Sequence, residues 1–193
     1  MRNIAIFASG SGTNAENIIK YFSNKKSAKV ALVLSNKREA MVLKRAAESK
    51  VSSVFFERDD FYANGKVLSD LVLYKIDFIV LAGFLWLVPE EIVQKYAGRL
   101  INIHPALLPK YGGKGMYGDK VHSAVISNDD TESGITIHHV NRVYDDGDII
   151  FQARCKVDKD DTPDSLASKV HALEYLHFPR VIEELVSKLP DSA

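Results

Sequence analysis

Short apolar runs alternate, along the first half of the chain, with segments whose apolar residues recur at helical spacing. The runs lie at 4–8, 30–34, 54–56, 78–82 and 100–103, and the helical patterns lie at 14–22, 41–49 and 61–74. Short apolar runs separated by amphipathic helices are typical of buried parallel strands. The pattern therefore predicts an α/β fold with a mostly parallel twisted sheet and helices on both faces.

The second half of the chain has a different pattern. A glycine-rich loop at 107–118 and a short helical segment at 120–127 precede two strand-like runs, at 134–140 and 149–157. The polar, aspartate-rich stretch 141–148 between them predicts an antiparallel hairpin near the C-terminus. Thr162 and Pro163 then begin a helix that we expect to run to about residue 189 and to kink or break at Pro179. We expect one domain, 1–193.

The charge balance and the cysteine count restrict the cellular setting. The chain of 193 residues has 25 Lys and Arg against 25 Asp and Glu, so no net field favours nucleic acid or a membrane surface. Cys155 is the single cysteine, which precludes an intrachain disulfide and favours a reducing compartment. No apolar run is long enough for a membrane span. We expect a cytoplasmic protein without nucleic-acid or membrane partners.

The first candidate motif is Ser9 to Asn14, Ser-Gly-Ser-Gly-Thr-Asn, between a predicted strand and a predicted helix. Glycines allow close approach of a ligand, and a helix N-terminus attracts phosphate. The same residues match a dinucleotide fingerprint, but the second strand ends at Lys37 and Arg38 rather than at the carboxylate that NAD requires. A tight turn without a ligand and an NADP-dependent oxidoreductase remain as alternatives.

The second candidate motif is Asn102-Ile103-His104-Pro105, at the end of the fifth predicted strand. Side chains two apart on a strand point to the same side. An amide donor beside an imidazole suits a reaction that develops charge on a carbonyl oxygen. A histidine that only satisfies the local structure is the alternative.

The third candidate motif is the aspartate-rich turn that begins at Asp145. A carboxylate delivered to the strand ends would orient His104 and favour its protonated form. The sequence has no pair of histidines at metal-ligand spacing, so we expect no metal.

Four segments together carry a resemblance to a known family. They are 9–14, 80–89, 100–113 and 134–147. The third contains Asn-Ile-His-Pro-Ala-Leu-Leu-Pro, and the fourth contains Tyr-Asp-Asp-Gly. The four segments occur in the order found in the folate-dependent formyltransferases, which the chain resembles. The resemblance implies a Rossmann-like formyltransferase fold and direct transfer of formyl from 10-formyltetrahydrofolate, a co-substrate, through a tetrahedral intermediate. In length, the chain resembles the members of the family whose acceptor is the amine of glycinamide ribonucleotide, a purine precursor. We expect a monomer or a homodimer.

The resemblance also implies roles for individual residues. Asn102, His104 and Asp145 match the catalytic trio. The residues that match the phosphate and ribose site are Gly12, Thr13, Asn14, His171 and Glu174. The residues that match the folate site are Leu85, Trp86, Leu87 and Val88, together with Asn102 and Asp145.

The chain departs from the family pattern at a few positions. Trp86 stands where arginine is frequent, His139 and Arg142 are unusual, and the loop 113–119 is longer than in well-known members. His122 is expected to be structural, or else to line the substrate pocket. Arg58 is a candidate substrate contact.

Overall fold

A single seven-stranded sheet runs through the computed structural model, which describes residues 1–190. The strands are β1 Arg2–Phe7, β2 Ala28–Ser35, β3 Ser52–Phe55, β4 Phe78–Leu81, β5 Leu100–His104, β6 Glu132–His139 and β7 Ile149–Lys156. The helices are α1 Thr13–Phe22, α2 Met41–Glu48, α3 Arg58–Tyr62, α4 Lys66–Leu73, α5 Glu90–Lys95, α6 Asp119–Ser127 and α7 Pro163–Ser187.

The strand order is β3-β2-β1-β4-β5-β6-β7. The first five strands of the chain pair in parallel, whereas β6 is antiparallel to both β5 and β7. The predicted α/β class and the C-terminal antiparallel hairpin are therefore confirmed.

Alternation along the central strand divides the core into two layers. Ile4 and Ile6 pack into one cluster of buried side chains, and Ala5 and Phe7 pack into another. Because both faces of β1 are covered, its sequence is a continuous apolar run rather than an alternating one. This burial fixes the register in which β1 delivers the turn that follows it.

The neighbouring strands β1 and β4 are followed by connections that lead to opposite sides of the sheet. The connection after β1 leads to β2 on one side, and the connection after β4 leads to β5 on the other. Such a switch point opens a crevice at the carboxyl ends of the strands, where open α/β sheets bind ligands. The first and second candidate motifs both lie at this edge.

One helical prediction is wrong in detail, and one short helix is missing from the predicted elements. The segment 61–74 is not one helix, because Gly65 has a left-handed φ of 66° and separates α3 from α4. The short α5 was not predicted; its Glu90–Lys95 segment contains few apolar residues.

Pro179 does not break α7, which continues to Ser187. A proline lacks the N–H that would donate to the carbonyl four residues earlier, here that of Tyr175. The side-chain amide of Asn17 in α1 donates to this carbonyl at 3.0 Å. A neighbouring helix thus supplies the hydrogen bond that proline removes.

Among the helices within residues 1–190, none combines the length and the apolar character that crossing a membrane requires.

The packing of β6 on β7 predicts the effect of a single methyl group. A Cβ added at Gly134 would lie 2.0 Å from the carbonyl oxygen of Ala153 and 2.9 Å from Cδ2 of Leu107. We expect Gly134→Ala to lower the free energy of unfolding by about 2–3 kcal/mol, because the two strands must separate. Urea denaturation followed by circular dichroism measures this loss.

Gly10→Ala is the matched control, because a Cβ at Gly10 meets nothing within 4 Å. We expect the control to change stability by less than about 0.5 kcal/mol. Equal stabilities for the two variants would contradict the tight packing of the hairpin.

Candidate active site

A cavity of about 550 Å³ opens at the carboxyl ends of β1, β4 and β5. Its walls come from the turn after β1, the segment after β4, the end of β5, the loop before α6, α6 itself, the loop before β7, and α7. The first and second motifs and Asp145 of the third therefore share one cavity.

The turn after β1 requires glycine where α1 begins. Gly12 has a left-handed φ of 74°, and a Cβ there would lie 2.5 Å from the Val42 side chain. The turn therefore packs against α2 while the first N–H groups of α1 have no partner within their own helix. Gly12, Thr13 and Asn14 all line the cavity, and this arrangement suits an anion.

Next to this turn, α7 contributes a buried carboxyl group. Glu174 is 5% exposed, and its Oε2 accepts a hydrogen bond from Asn14 Nδ2 at 2.8 Å. Burial raises the pKa of Glu174, and this effect is opposed by the Asn14 hydrogen bond and by the charge of His171. His171 also lines the cavity and stacks on Tyr175. The predicted phosphate and ribose residues thus lie together.

The predicted catalytic trio also lies together. The carboxylate of Asp145 is 3.5 Å (Oδ2) from His104 Nδ1 and 3.4 Å (Oδ1) from Asn102 Nδ2. The backbone N–H of Gly113 donates to Asp145 Oδ2 at 2.9 Å. Asn102 and His104 point to the same side of β5, as strand alternation predicts, and the hairpin loop brings Asp145 to them.

His104 is held by a backbone carbonyl that the sequence does not reveal. Its Nε2 lies 2.8 Å from the carbonyl oxygen of Tyr111. A carbonyl only accepts, so Nε2 carries a proton in every state of the ring. The nitrogen that gains or loses a proton is therefore Nδ1, which faces Asp145.

His138 on β6 completes the polar cluster. Its Nδ1 lies 2.8 Å from the carbonyl oxygen of His139, which again fixes a proton on that nitrogen. Its Nε2 lies 3.0 Å from Asn102 Nδ2 and 3.6 Å from Asp145 Oδ1. His138 thus orients the Asn102 amide. Its place opposite Asn102 on the neighbouring strand was the only sequence signal for this contact.

Burial and charge act against each other in this cluster. Burial lowers the pKa of His104, while the nearby Asp145 and the Tyr111 carbonyl raise it in part. Burial works to raise the pKa of Asp145, but the neighbouring His138, the charge of His104 and the hydrogen bond from the Gly113 N–H together lower it. At neutral pH the carboxylate is ionised beside a neutral imidazole. The expected protonated form of His104 is therefore not favoured in the protein alone, because burial outweighs Asp145.

The predicted folate segment lies only partly in the cavity. Leu85 lines it, and the Leu85 N–H donates to Ser9 Oγ at 3.1 Å. Trp86, Leu87 and Val88 do not contribute to the cavity walls. Trp86 lies under the Arg58 guanidinium and packs in an aromatic cluster with Phe56, Phe61, Tyr62 and Phe84. The Leu87 carbonyl accepts a hydrogen bond from the Tyr62 hydroxyl, and the Val88 side chain is buried.

The cavity includes residues to which sequence reasoning gave no place. Tyr117 and Tyr144 line it, as does Lys114 of the long loop. Lys37, one of the two basic residues at the end of the second strand that left the NADP alternative open, lines the cavity as well. His122 of α6 lines it too, which favours the second of its two interpretations. A search of residues 1–190 finds no group of three or more His, Cys, Asp or Glu placed to hold a metal ion.

The sequence as a whole matches a family model. The model described as formyl transferase covers residues 2–182. The chain therefore belongs to the formyl transferase family, and this membership goes against the oxidoreductase alternative.

Several relatives within the family have the name phosphoribosylglycinamide formyltransferase. The protein of that name from Bacillus subtilis is 32% identical over 96% of this chain and 95% of its own length. The chloroplastic one from Arabidopsis thaliana is 37% identical over 94% of this chain, which spans 64% of that relative's length. The solved structure of the enzyme from Anaplasma phagocytophilum has a TM-score of 0.89 at 29% identity and covers 97% of this chain and 87% of its own.

The directions of the pKa shifts of His104 and Asp145 predict how His104 titrates. Burial disfavours the charged ring, so we expect the protonation midpoint of His104 in the protein alone to lie below the ordinary value of 6.5. Asp145→Asn removes an attractive charge and should lower this midpoint further. Nitrogen chemical shifts of the imidazole, followed by NMR as pH falls, measure both values.

Asp148→Asn is the control, because it removes one negative charge from an exposed position on the same loop. We expect it to leave the His104 midpoint nearly unchanged. A midpoint above 6.5, or equal midpoints in the two variants, would contradict the arrangement around Asp145.

Proposed function

We propose that this chain transfers the formyl group of 10-formyltetrahydrofolate to the amine of glycinamide ribonucleotide, giving formylglycinamide ribonucleotide and tetrahydrofolate for purine synthesis. One observation carries the proposal: a single cavity joins the helix N-terminus at Gly12–Asn14 to the cluster of Asn102, His104 and Asp145. A phosphorylated substrate held at the first place can present its amine at the second. The names of the relatives within the family support the same reaction.

The acceptor is bound, in this proposal, through its phosphate and its ribose. The N–H groups at Gly12, Thr13 and Asn14 bind the phosphate, and His171, which lines the same cavity, is a further contact for it. Glu174 accepts hydrogen bonds from the ribose hydroxyls, for which its buried carboxyl group is well placed. These contacts orient the amine toward β5.

Transfer follows from three side chains around the formyl carbon. The neutral amine forms a C–N bond to this carbon, and the formyl oxygen takes up the negative charge, stabilised by the Asn102 amide. That charge raises the pKa of the neighbouring His104, whose Nδ1 then takes up a proton and stabilises the tetrahedral intermediate. Asp145 accepts a proton from the attacking nitrogen, directly or through water. The bond from carbon to N10 breaks, and N10 leaves with the proton that Asp145 passes on through water. His104 returns to solvent the proton that it took up from there, as the carbonyl forms again.

The folate is bound, in this proposal, beside the segment that follows β4. Leu85 meets the pterin ring, with Asn102 and Asp145 at the reacting end. Trp86, Leu87 and Val88 support that wall from behind, through the aromatic cluster around Phe61 and the Tyr62 hydrogen bond. Trp86, in place of the arginine that is frequent in the family, makes the packing behind this wall apolar.

We further propose that residues 1–193 act as one domain, as a monomer or homodimer, in the cytoplasm. The single sheet and the two core layers that cover its faces support one domain. The half-buried lone Cys155 fits a reducing compartment.

A steady-state assay tests the reaction. The purified protein should consume 10-formyltetrahydrofolate only when glycinamide ribonucleotide is present, with one formylated product per folate released. Absorbance of the folate and mass spectrometry of the ribonucleotide measure the two sides. Hydrolysis of the folate without the amine, or transfer only to another amine, would contradict the proposal.

Substitutions in the trio test the mechanism. We expect His104→Ala and Asp145→Asn each to lower kcat by about a hundredfold or more, because both groups act on charge that develops in the transition state. Both variants should still fold, with the circular dichroism spectrum of the parent chain, so that the loss of turnover does not reflect unfolding. Asp148→Asn serves as the control and should retain turnover; near-parental kcat in either trio variant would refute the roles assigned.

A further inference from the structure

His122 is a buried imidazole for which the proposed transfer has no use. It lies on α6, is 2% exposed, and lines the same cavity as the phosphate turn and His104. Most buried histidines have hydrogen-bond partners in the surrounding protein.

Neither ring nitrogen of His122 has such a partner among the residues that the structure describes, 1–190. The Nδ1 atom is sealed from solvent as well. Leaving a buried polar atom unpaired costs about 1–3 kcal/mol. Because Nδ1 is sealed, Nε2 is the nitrogen that remains to bind a ligand in the cavity.

The surroundings of His122 favour a neutral ring. Burial lowers its pKa, the positive charges of His171 and His104 lower it further, and Asp119 one turn earlier on α6 raises it. A neutral imidazole offers one donor and one acceptor, so it suits an uncharged polar group better than a phosphate or a carboxylate.

The position of His122 in the cavity indicates which uncharged polar group of the acceptor it contacts. His122 lines one cavity with His171, at the phosphate and ribose end, and with His104, at the transfer end. Glycinamide ribonucleotide has one uncharged polar group between its ribose and its amine, the carboxamide. We propose that Nε2 of His122 hydrogen-bonds this carboxamide and so positions the amine; the inference rests on the proposed function.

Two substitutions at His122 test the contact. His122→Leu removes the hydrogen bond, and His122→Gln places an amide near the former position of Nε2. We expect the leucine variant to raise the KM for glycinamide ribonucleotide about tenfold, the effect of losing one hydrogen bond. The KM for 10-formyltetrahydrofolate should stay within about twofold, and glutamine should restore most of the loss.

His177→Leu is the control for loss of a histidine, because His177 packs on Phe151 and is not part of the cavity wall. Calorimetric titration with glycinamide ribonucleotide alone separates the possible failures. If the parent protein does not bind this ribonucleotide, the proposed function fails. If the parent and His122→Leu bind it equally, only the inference about His122 fails.

A lowered melting temperature with unchanged KM values would assign His122 a structural role and overturn the inference. If His122→Leu does not fold, His122→Gln and His122→Asn decide the question. The shorter asparagine does not reach the position of Nε2, so affinity for glycinamide ribonucleotide should persist with glutamine and fall with asparagine. Equal affinities in these two variants would overturn the contact.

Discussion

The buried carboxylate of Asp145 is the constraint on which the site depends. Its side chain is only 11% exposed, and an ionised carboxylate at such a place is stable only if polar groups compensate the loss of water. The Gly113 N–H and the Asn102 amide provide this compensation, and the imidazoles of His104 and His138 enclose the carboxylate at 3.5 and 3.6 Å. Because these groups come from β5, β6 and the loop before α6, one negative charge holds three segments in register.

Two residues around this cluster have an unfavourable backbone conformation. Asp145 has a φ of 55° and Tyr111 has a φ of 57°, both in the left-handed region that residues with a Cβ rarely adopt. Both residues contact His104, one through its carboxylate and the other through its carbonyl. Two of the five non-glycine residues with a positive φ in the described part of the chain are thus partners of one imidazole, and they maintain the orientation of His104 against local conformational preference.

In the proposed mechanism, the same cluster allows a neutral imidazole to serve a reaction that needs a cation. The buried ring stays neutral at neutral pH, because desolvation outweighs the attraction of one carboxylate. Negative charge that develops on a substrate oxygen adds to that attraction, so proton uptake at Nδ1 accompanies the chemical step. Charge is thus stabilised more strongly in the transition state than before it, which is the condition for catalysis.

The sequence predicted those features that depend on side-chain periodicity. Apolar runs predicted the sheet, and strand alternation placed Asn102 and His104 on one side. Contacts made by backbone groups, such as the Tyr111 carbonyl and the Gly113 N–H, have no residue signature and could not be predicted. The continuity of α7 at Pro179 depends on Asn17, 162 positions earlier in the chain, and only the tertiary structure reveals that hydrogen bond.

The most direct test of the account is a crystal structure of the protein with glycinamide ribonucleotide and a folate analogue that lacks the formyl group. The account predicts the phosphate at the N-terminus of α1 and the amine within hydrogen-bond distance of the cluster around Asp145. A phosphate bound elsewhere, or an amine remote from His104 and Asp145 in an otherwise well-defined complex, would contradict it.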